Sequence, residues 1–348
     1  MKIALLTIWH EGNYGAELQT YATIKILKQL GHDVSLIDIR LSDMQRMSWK
    51  GRIGCLLSSL GPSSRKFNDF WSDKFPLTRR YRSADELKQN PPDADVYVVG
   101  SDQVWNPEIT QSFSEIFFLN FGPDSIRRVS FASSFGKENW GSYQTDVVRQ
   151  LLKRFQAISC RENSGVHILK ETFGIDATNV LDPTLLFDDY AELTGEIEEV
   201  STLAYYPLDN SPKLESYSES LAKRLGLKTV NANWKTYIYG SAVWDRNSIG
   251  EWIRDIAQSK FVLTPSFHGL AMCLIYQRQF AVIVENKARA TRMMSLLEQL
   301  DIQDRVFNSF EEMDKSRPWA RLIDYETINE KLSKLRDKSF YFLKIALT

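Results

Sequence analysis

Short apolar runs in this chain keep ending the same way, in a polar turn built of small residues. The run at 2–8 leads into HEGNYG (10–15), that at 95–99 into GSDQVWNP (100–107), and that at 127–131 into ASSFG (132–136). The run at 157–159 leads into CRENSG (160–165), and Val180 and Leu181 lead into DPTLLF (182–187). Helical patterns separate several of them. The first covers 16–30, carries apolar residues such as Leu18, Tyr21, Ile24 and Leu27, and stops at Gly31. Others cover 144–154 and 164–173. Strand, turn, helix, strand predicts a parallel sheet with right-handed crossovers. In such a sheet the turns that follow the strands share one edge, where ligands bind.

The second half repeats the plan. Strands are expected at 202–206, 229–231 and 281–284, and helices at 214–225, 247–257, 293–300 and 328–347. The stretch SKFVLTPSFHGLAMCLIYQRQF (259–280) reads as strand, tight loop and helix, with His268 at the mouth of the helix. A chain of 348 residues exceeds one ordinary core, so two domains are expected. The expected fold is α/β, with two parallel-sheet, Rossmann-like domains facing a cleft. The first spans 1–187, an acidic irregular linker spans 188–200, the second spans 201–325, and a terminal helix at 326–348 packs back on the first.

Composition narrows the function classes. Hydrophobic residues make up 43% and charged residues 25%, as in soluble globular proteins. A net charge of −1 argues against a nucleic-acid partner. The opening MKIALLTIWHEGNYG reads as a first core strand rather than a leader, and no apolar run reaches a membrane span. Cys55, Cys160 and Cys273 are scattered, which fits reduced thiols in the cytoplasm. Metal spacing, a Walker loop and a nucleophile elbow are all missing from the sequence, so neither a metal nor a cofactor is expected. One segment departs from the average. Residues 40–82 hold ten Lys and Arg against three Asp, interleaved with Met44, Trp49, Leu56, Phe67 and Trp71. This composition suits contact with an anionic membrane surface or a phosphorylated ligand; glycines at 51, 54 and 61 favour an ordinary solvated insertion.

The turns carry the chemistry. Ser101, Asp102, Gln103 and Trp105 place a carboxylate, an amide and an indole at one strand end. Carboxylates and amides bind sugar hydroxyls, an indole face stacks on a sugar ring, and Asp102 can also act as a base for a hydroxyl. Helix capping by Ser101 or Asp102 is the bland alternative. Arg161 offers a bidentate grip on phosphate or carboxylate, or pairs structurally with Glu162. HEGNYG lacks the glycine spacing of a dinucleotide site, although its backbone amides could cradle a ligand. Lys287, Arg289 and Arg292 place positive charge at a helix start, against the macrodipole, as an anion nearby would require.

Taken together, NYGAELQTYA (13–22), GSDQVWNP, ASSFG, SCRENSG, LDPTLL and SFHGLAM resemble the polysaccharide pyruvyl transferase family. The resemblance covers most of the chain and rests on the order and spacing of these turns. One departure is Thr264-Pro265-Ser266, where many members of the family carry an acid. The family implies a fold like that of GT-B glycosyltransferases and transfer of a pyruvyl group from phosphoenolpyruvate, a co-substrate, to two hydroxyls of a sugar. It implies catalytic roles for His268 and Asp102, and donor binding by Arg161, Ser266, Gly269 and Arg292. Acceptor binding would fall to Asn13, Tyr14, Gly15, Ser101, Gln103 and Trp105. The acceptor would be a nucleotide-linked or lipid-linked sugar at the inner face of a bacterial membrane, with residues 40–82 as the peripheral contact. The competing expectations are a glycosyltransferase using a nucleotide sugar and a non-catalytic sugar-binding protein.

Overall fold

The computed structural model describes residues 1–10, 12–44, 62–141, 143–208, 211–237, 244–284 and 287–348, without the side chains of 43–44, 62, 235–237, 244 and 287–292. The chain divides into two compact units. One comprises Met1–Ser48, Trp71–Phe187 and Leu332–Thr348; the other comprises Trp49–Phe70 and Asp188–Lys331.

The first unit is built on one sheet: β1 (Lys2–Leu6), β2 (Asp33–Ile39), β3 (Leu77–Tyr81), β4 (Val96–Val99), β5 (Arg127–Ser133), β6 (Ala157–Cys160) and β7 (Thr178–Asn179). Their order is β3-β2-β1-β4-β5-β6-β7, and every neighbouring pair is parallel. Strands covered on both faces need unbroken apolar runs. β4 is buried at all four positions and β5 at all but its first, as that requires. The strand order reverses between β1 and β4, which opens a crevice at their carboxyl ends.

The second unit follows the same logic. Its sheet consists of β8 (Val200–Tyr205), β9 (Lys228–Asn231), β12 (Ser259–Thr264), β13 (Gln279–Ile283) and β14 (Val306–Phe307), in the order β14-β13-β12-β8-β9 and all parallel. A separate antiparallel pair joins β10 (Trp234–Tyr237) to β11 (Trp244–Arg246). Here the order reverses between β8 and β12.

Several elements differ from expectation for local reasons. The first helix starts at Tyr14, because the Asn13 side chain accepts from the Gly15 amide and caps it there. The acidic stretch expected to be irregular contains a helical turn, Ala191–Thr194; the Arg254 guanidinium donates to its Thr194 carbonyl. Within the basic segment, residues 45–61 lie outside the described residues. Its remainder forms the helix Pro62–Lys74 and the edge strand β3. In that part Phe67 and Trp71 are buried. The charge of Lys66 is also engaged, at 2.7 Å from Asp245. Among the described residues, no helix is long and apolar enough to cross a membrane.

Candidate active site

At the crevice of the first unit, β1 and β4 are stitched together beyond their ladder. The Gly100 amide donates to the Leu6 carbonyl (2.8 Å), and the Thr7 hydroxyl donates to the Ser101 carbonyl (2.6 Å). The chain then turns sharply. Asp102 adopts a φ of 77°, a left-handed conformation that a non-glycine residue adopts only under constraint. His10 (φ 65°) and Ala132 (φ 54°), at the ends of the flanking β1 and β5, do the same. Backbone strain thus collects at the carboxyl ends of three adjacent strands.

Asp102 lies beside Arg161, which follows β6. The guanidinium donates from one terminal nitrogen to Asp102 (3.1 Å) and from the other to Asp182 (2.6 Å) and the Ser101 hydroxyl (3.1 Å). Its Nε lies 3.9 Å from Glu162. Asp182 in turn accepts from the Ser101 hydroxyl (2.8 Å) and from both the amide and the hydroxyl of Thr184. The Arg161 side chain is only 1% exposed and that of Asp182 is 0%, whereas Asp102 keeps 18%. Burial alone lowers the affinity of Arg161 for its proton, but the carboxylates of Asp182, Asp102 and Glu162 outweigh it and hold the guanidinium above its ordinary value. Arg161 was expected to grip an anionic donor. Its fork is instead engaged by Asp182 and Asp102, so here it orients the Asp102 carboxylate. Asp182 escaped notice because its carboxylate reads in sequence as a helix cap; the cue was a second acid at a neighbouring strand end.

The other residues expected on the acceptor side fall into two groups. Asn13 is exposed, while Tyr14 and Gly15 are buried in the first helical turn. Gln103 is partly exposed and accepts from the Asn106 side-chain amide (3.0 Å). Trp105 is 0% exposed, its indole N–H donates to the Phe117 carbonyl, and its ring stacks on Phe118. A buried, singly satisfied indole of this kind is a core residue first.

His10 carries a signal that the sequence did not reveal. Its Nε2 lies 2.7 Å from an Arg40 guanidinium nitrogen, and its ring stacks on Trp71 at 3.9 Å. Arg40 is itself held by Asp38 (2.9 Å). Burial first, and the Arg40 charge second, push the His10 pKa down to about 4. At neutral pH the imidazole is therefore uncharged, and its Nε2 accepts from Arg40.

In the second unit, His268 follows β12, at the strand-order reversal. It lies in the first turn of the helix Phe267–Ile275. Ser266 caps that helix by accepting from the Gly269 amide (3.3 Å), and the Thr264 hydroxyl accepts from the Ser266 amide (3.0 Å). A Cβ on Gly269 would lie 2.6 Å from the Thr264 hydroxyl oxygen, so glycine lets the helix sit close against β12. Ser266 and Gly269, expected to bind donor, thereby fix the turn that carries His268, which is 8% exposed. Arg292 falls on the helix Lys287–Leu300, with its side chain outside the described residues. Among the described residues no group of His, Cys, Asp and Glu is arranged to hold a metal ion.

Two parallel-sheet α/β units, each with polar side chains at its strand-order reversal, define a protein of the doubly wound α/β class. The family described as polysaccharide pyruvyl transferase matches residues 13–286, and the chain belongs to that family. No curated protein matches the chain. Solved structures similar to it include an alpha-glucosyltransferase in complex with UDP (11% identity, 99% of this chain and 95% of that one, TM-score 0.47). The glycotransferase of kitacinnamycin is similar at 12% identity over 98% of this chain and 95% of that one, with a TM-score of 0.46. Spinosyn forosaminyltransferase is similar at 11% identity over 97% and 94%, with a TM-score of 0.44.

Proposed function

We propose that the protein transfers a pyruvyl group from phosphoenolpyruvate to two hydroxyls of one sugar, forming a cyclic ketal and releasing phosphate. The observation that carries this reading is the family match across residues 13–286, which includes the turns that follow β4 and β12. In the proposed reaction His268 delivers a proton to the methylene carbon of the enol, leaving an oxocarbenium-like centre at C2, or else it polarises the departing phosphate. A phosphate dianion beside the ring favours its protonated form for either task. The first sugar hydroxyl attacks C2 and loses its proton to Asp102. Phosphate leaves with the C2–O bond electrons and takes up the proton held by Asp102, and the second hydroxyl closes the ring as its own proton restores His268. Arg161 holds Asp102 in place throughout. A nucleotide-linked or lipid-linked acceptor at the inner face of a membrane, for building surface polysaccharide, belongs to the same proposal.

The test is phosphate release from phosphoenolpyruvate with a panel of acceptors, combined with mass detection of a pyruvyl ketal. His268→Ala should abolish both signals while leaving the melting temperature near that of the parent; near-normal turnover would overturn the assignment. Hydrolysis of nucleotide sugars without any need for phosphoenolpyruvate would favour a glycosyltransferase instead.

A further inference from the structure

The first unit contains a cavity that none of the expected site residues except Trp105 touches. Its volume is about 410 Å³, in the lower part of the roughly 300–1,000 Å³ range of small-molecule sites. Its walls include Trp105, Phe135, Trp140 and Tyr143, with Lys137 and Asn139 as polar members. It belongs to the same sheet edge as Asp102, because its walls grow from the same turns. The Trp105 amide donates to the Ser134 carbonyl (3.1 Å), and the Phe135 amide donates to Glu162 (3.0 Å), the neighbour of Arg161.

The lining distinguishes between kinds of ligand. The Trp140 indole N–H is already committed to the Thr145 hydroxyl (3.1 Å), and its ring packs edge to face on Phe135 and Phe173. What Trp140 can offer an occupant is thus an aromatic surface, not its N–H. Tyr143 is 41% exposed, so its ring is accessible from the cavity mouth. Lys137 pairs with Glu108 at 2.6 Å; Lys137 is 34% exposed and Glu108 is 75% exposed, so the charge is balanced at a wet rim. A phosphate would meet that balanced pair rather than a free cation. A purely apolar ligand would strand Lys137, Glu108 and Asn139. A pyranose satisfies both demands, since its axial C–H face lies on aromatic rings while its ring hydroxyls exchange hydrogen bonds with an ammonium, a carboxylate and an amide.

We propose that this cavity is a saccharide subsite that holds one sugar ring by aromatic stacking on Trp140 and Tyr143 and by hydroxyl contacts to Lys137, Glu108 and Asn139. That the ring belongs to the acceptor rests on the pyruvyl-transfer reading; that the cavity binds a sugar does not.

The experiment titrates the full-length protein, without phosphoenolpyruvate, with the methyl glycosides of glucose, galactose, N-acetylglucosamine and N-acetylmannosamine, and follows them by saturation-transfer NMR. At least one glycoside should bind, and Tyr143→Ala and Lys137→Met should each weaken it at least fivefold. Tyr143→Ala removes an exposed ring, so its fold should survive, and its melting temperature checks this. Trp140→Ala removes core packing as well and serves only as a supporting variant. No saturable glycoside binding, or binding unchanged in both Tyr143→Ala and Lys137→Met, would overturn the proposal. The same sugar offered as a UDP-sugar and as a polyprenyl-phosphate sugar then separates the two sources by which one binds more tightly. Glycoside binding with no pyruvyl transfer would leave the subsite standing and remove the reading of the reaction. Pyruvyl transfer whose acceptor KM ignores Tyr143→Ala and Lys137→Met would do the reverse.

Discussion

The Arg161 fork is engaged by carboxylates of its own chain. A guanidinium at a strand end is equally suited to a free anion or to carboxylates of its own chain. Only the fold decides, by bringing Asp182 to 2.6 Å and Asp102 to 3.1 Å. Removing one partner of a buried ion pair leaves the other charge stranded, at about 3–5 kcal/mol. Arg161→Met should therefore lower unfolding free energy in urea by roughly that amount. Arg161→Lys, which keeps the charge but loses the planar fork, should fall between the two. A stability change under about 0.5 kcal/mol, the size expected of an ordinary surface substitution, would mean that the cluster is not structural.

His10 makes a second prediction at this scale. Its pKa in the folded protein is about 4, against an ordinary 6.5. Between those values the unfolded chain takes up a proton that the folded chain refuses, so stability falls as pH drops through that window and is unaffected above it. His10→Asn keeps a side chain that tolerates the left-handed backbone but cannot titrate there. Melting temperatures at pH 7 and pH 5 should differ less for His10→Asn than for the parent. Equal differences would assign the acid sensitivity to other groups.

At the scale of elements, spacing and capping were legible wherever the pattern was local. The strand–turn–helix at 259–280 is present as β12 and the helix Phe267–Ile275, because an apolar run, a breaking Pro265 and an N-capping Ser266 act within a few residues. β3 escaped detection because its burial alternates poorly and its Arg79 and Arg80 read as part of a charged insertion. The helix Ala191–Thr194 escaped because only packing against the helix Ile249–Ala257 reveals it. That packing is close: a Cβ on Gly250 would overlap the Leu193 carbonyl oxygen. Gly250→Ala must push the two helices apart, and overpacking of this kind costs about 1–3 kcal/mol. A lowered melting temperature with unchanged helical circular dichroism is the expected result; an unchanged or raised one would show that the helices give way freely.

For the molecule as a whole, the edge of the sheet was readable and the wiring across it was not. Each polar turn announces itself by composition, and that Asp102 and His268 stand beside strand-order reversals follows once the strand order is known. Which turns meet, however, depends on residues far apart in the chain, such as Ser101 with Asp182, 81 positions away, and Arg161 with Ser101, 60 positions away. No periodicity encodes that. Contacts between elements also decided the burial of Trp105, Phe67 and Trp71, since a single chain pattern cannot distinguish an aromatic facing water from one facing another element.

The left-handed residues at 10, 102 and 132 have a further consequence. Each holds a side chain where glycine would rest more easily, and the three stand at the ends of neighbouring strands. Conformations of this kind cost on the order of 1–3 kcal/mol apiece. The robustness of the first unit and the geometry of its polar sheet edge therefore compete at the same three positions. Variants chosen only for heat resistance would be free to drift there, relaxing the backbone that sets the shape of these strand ends.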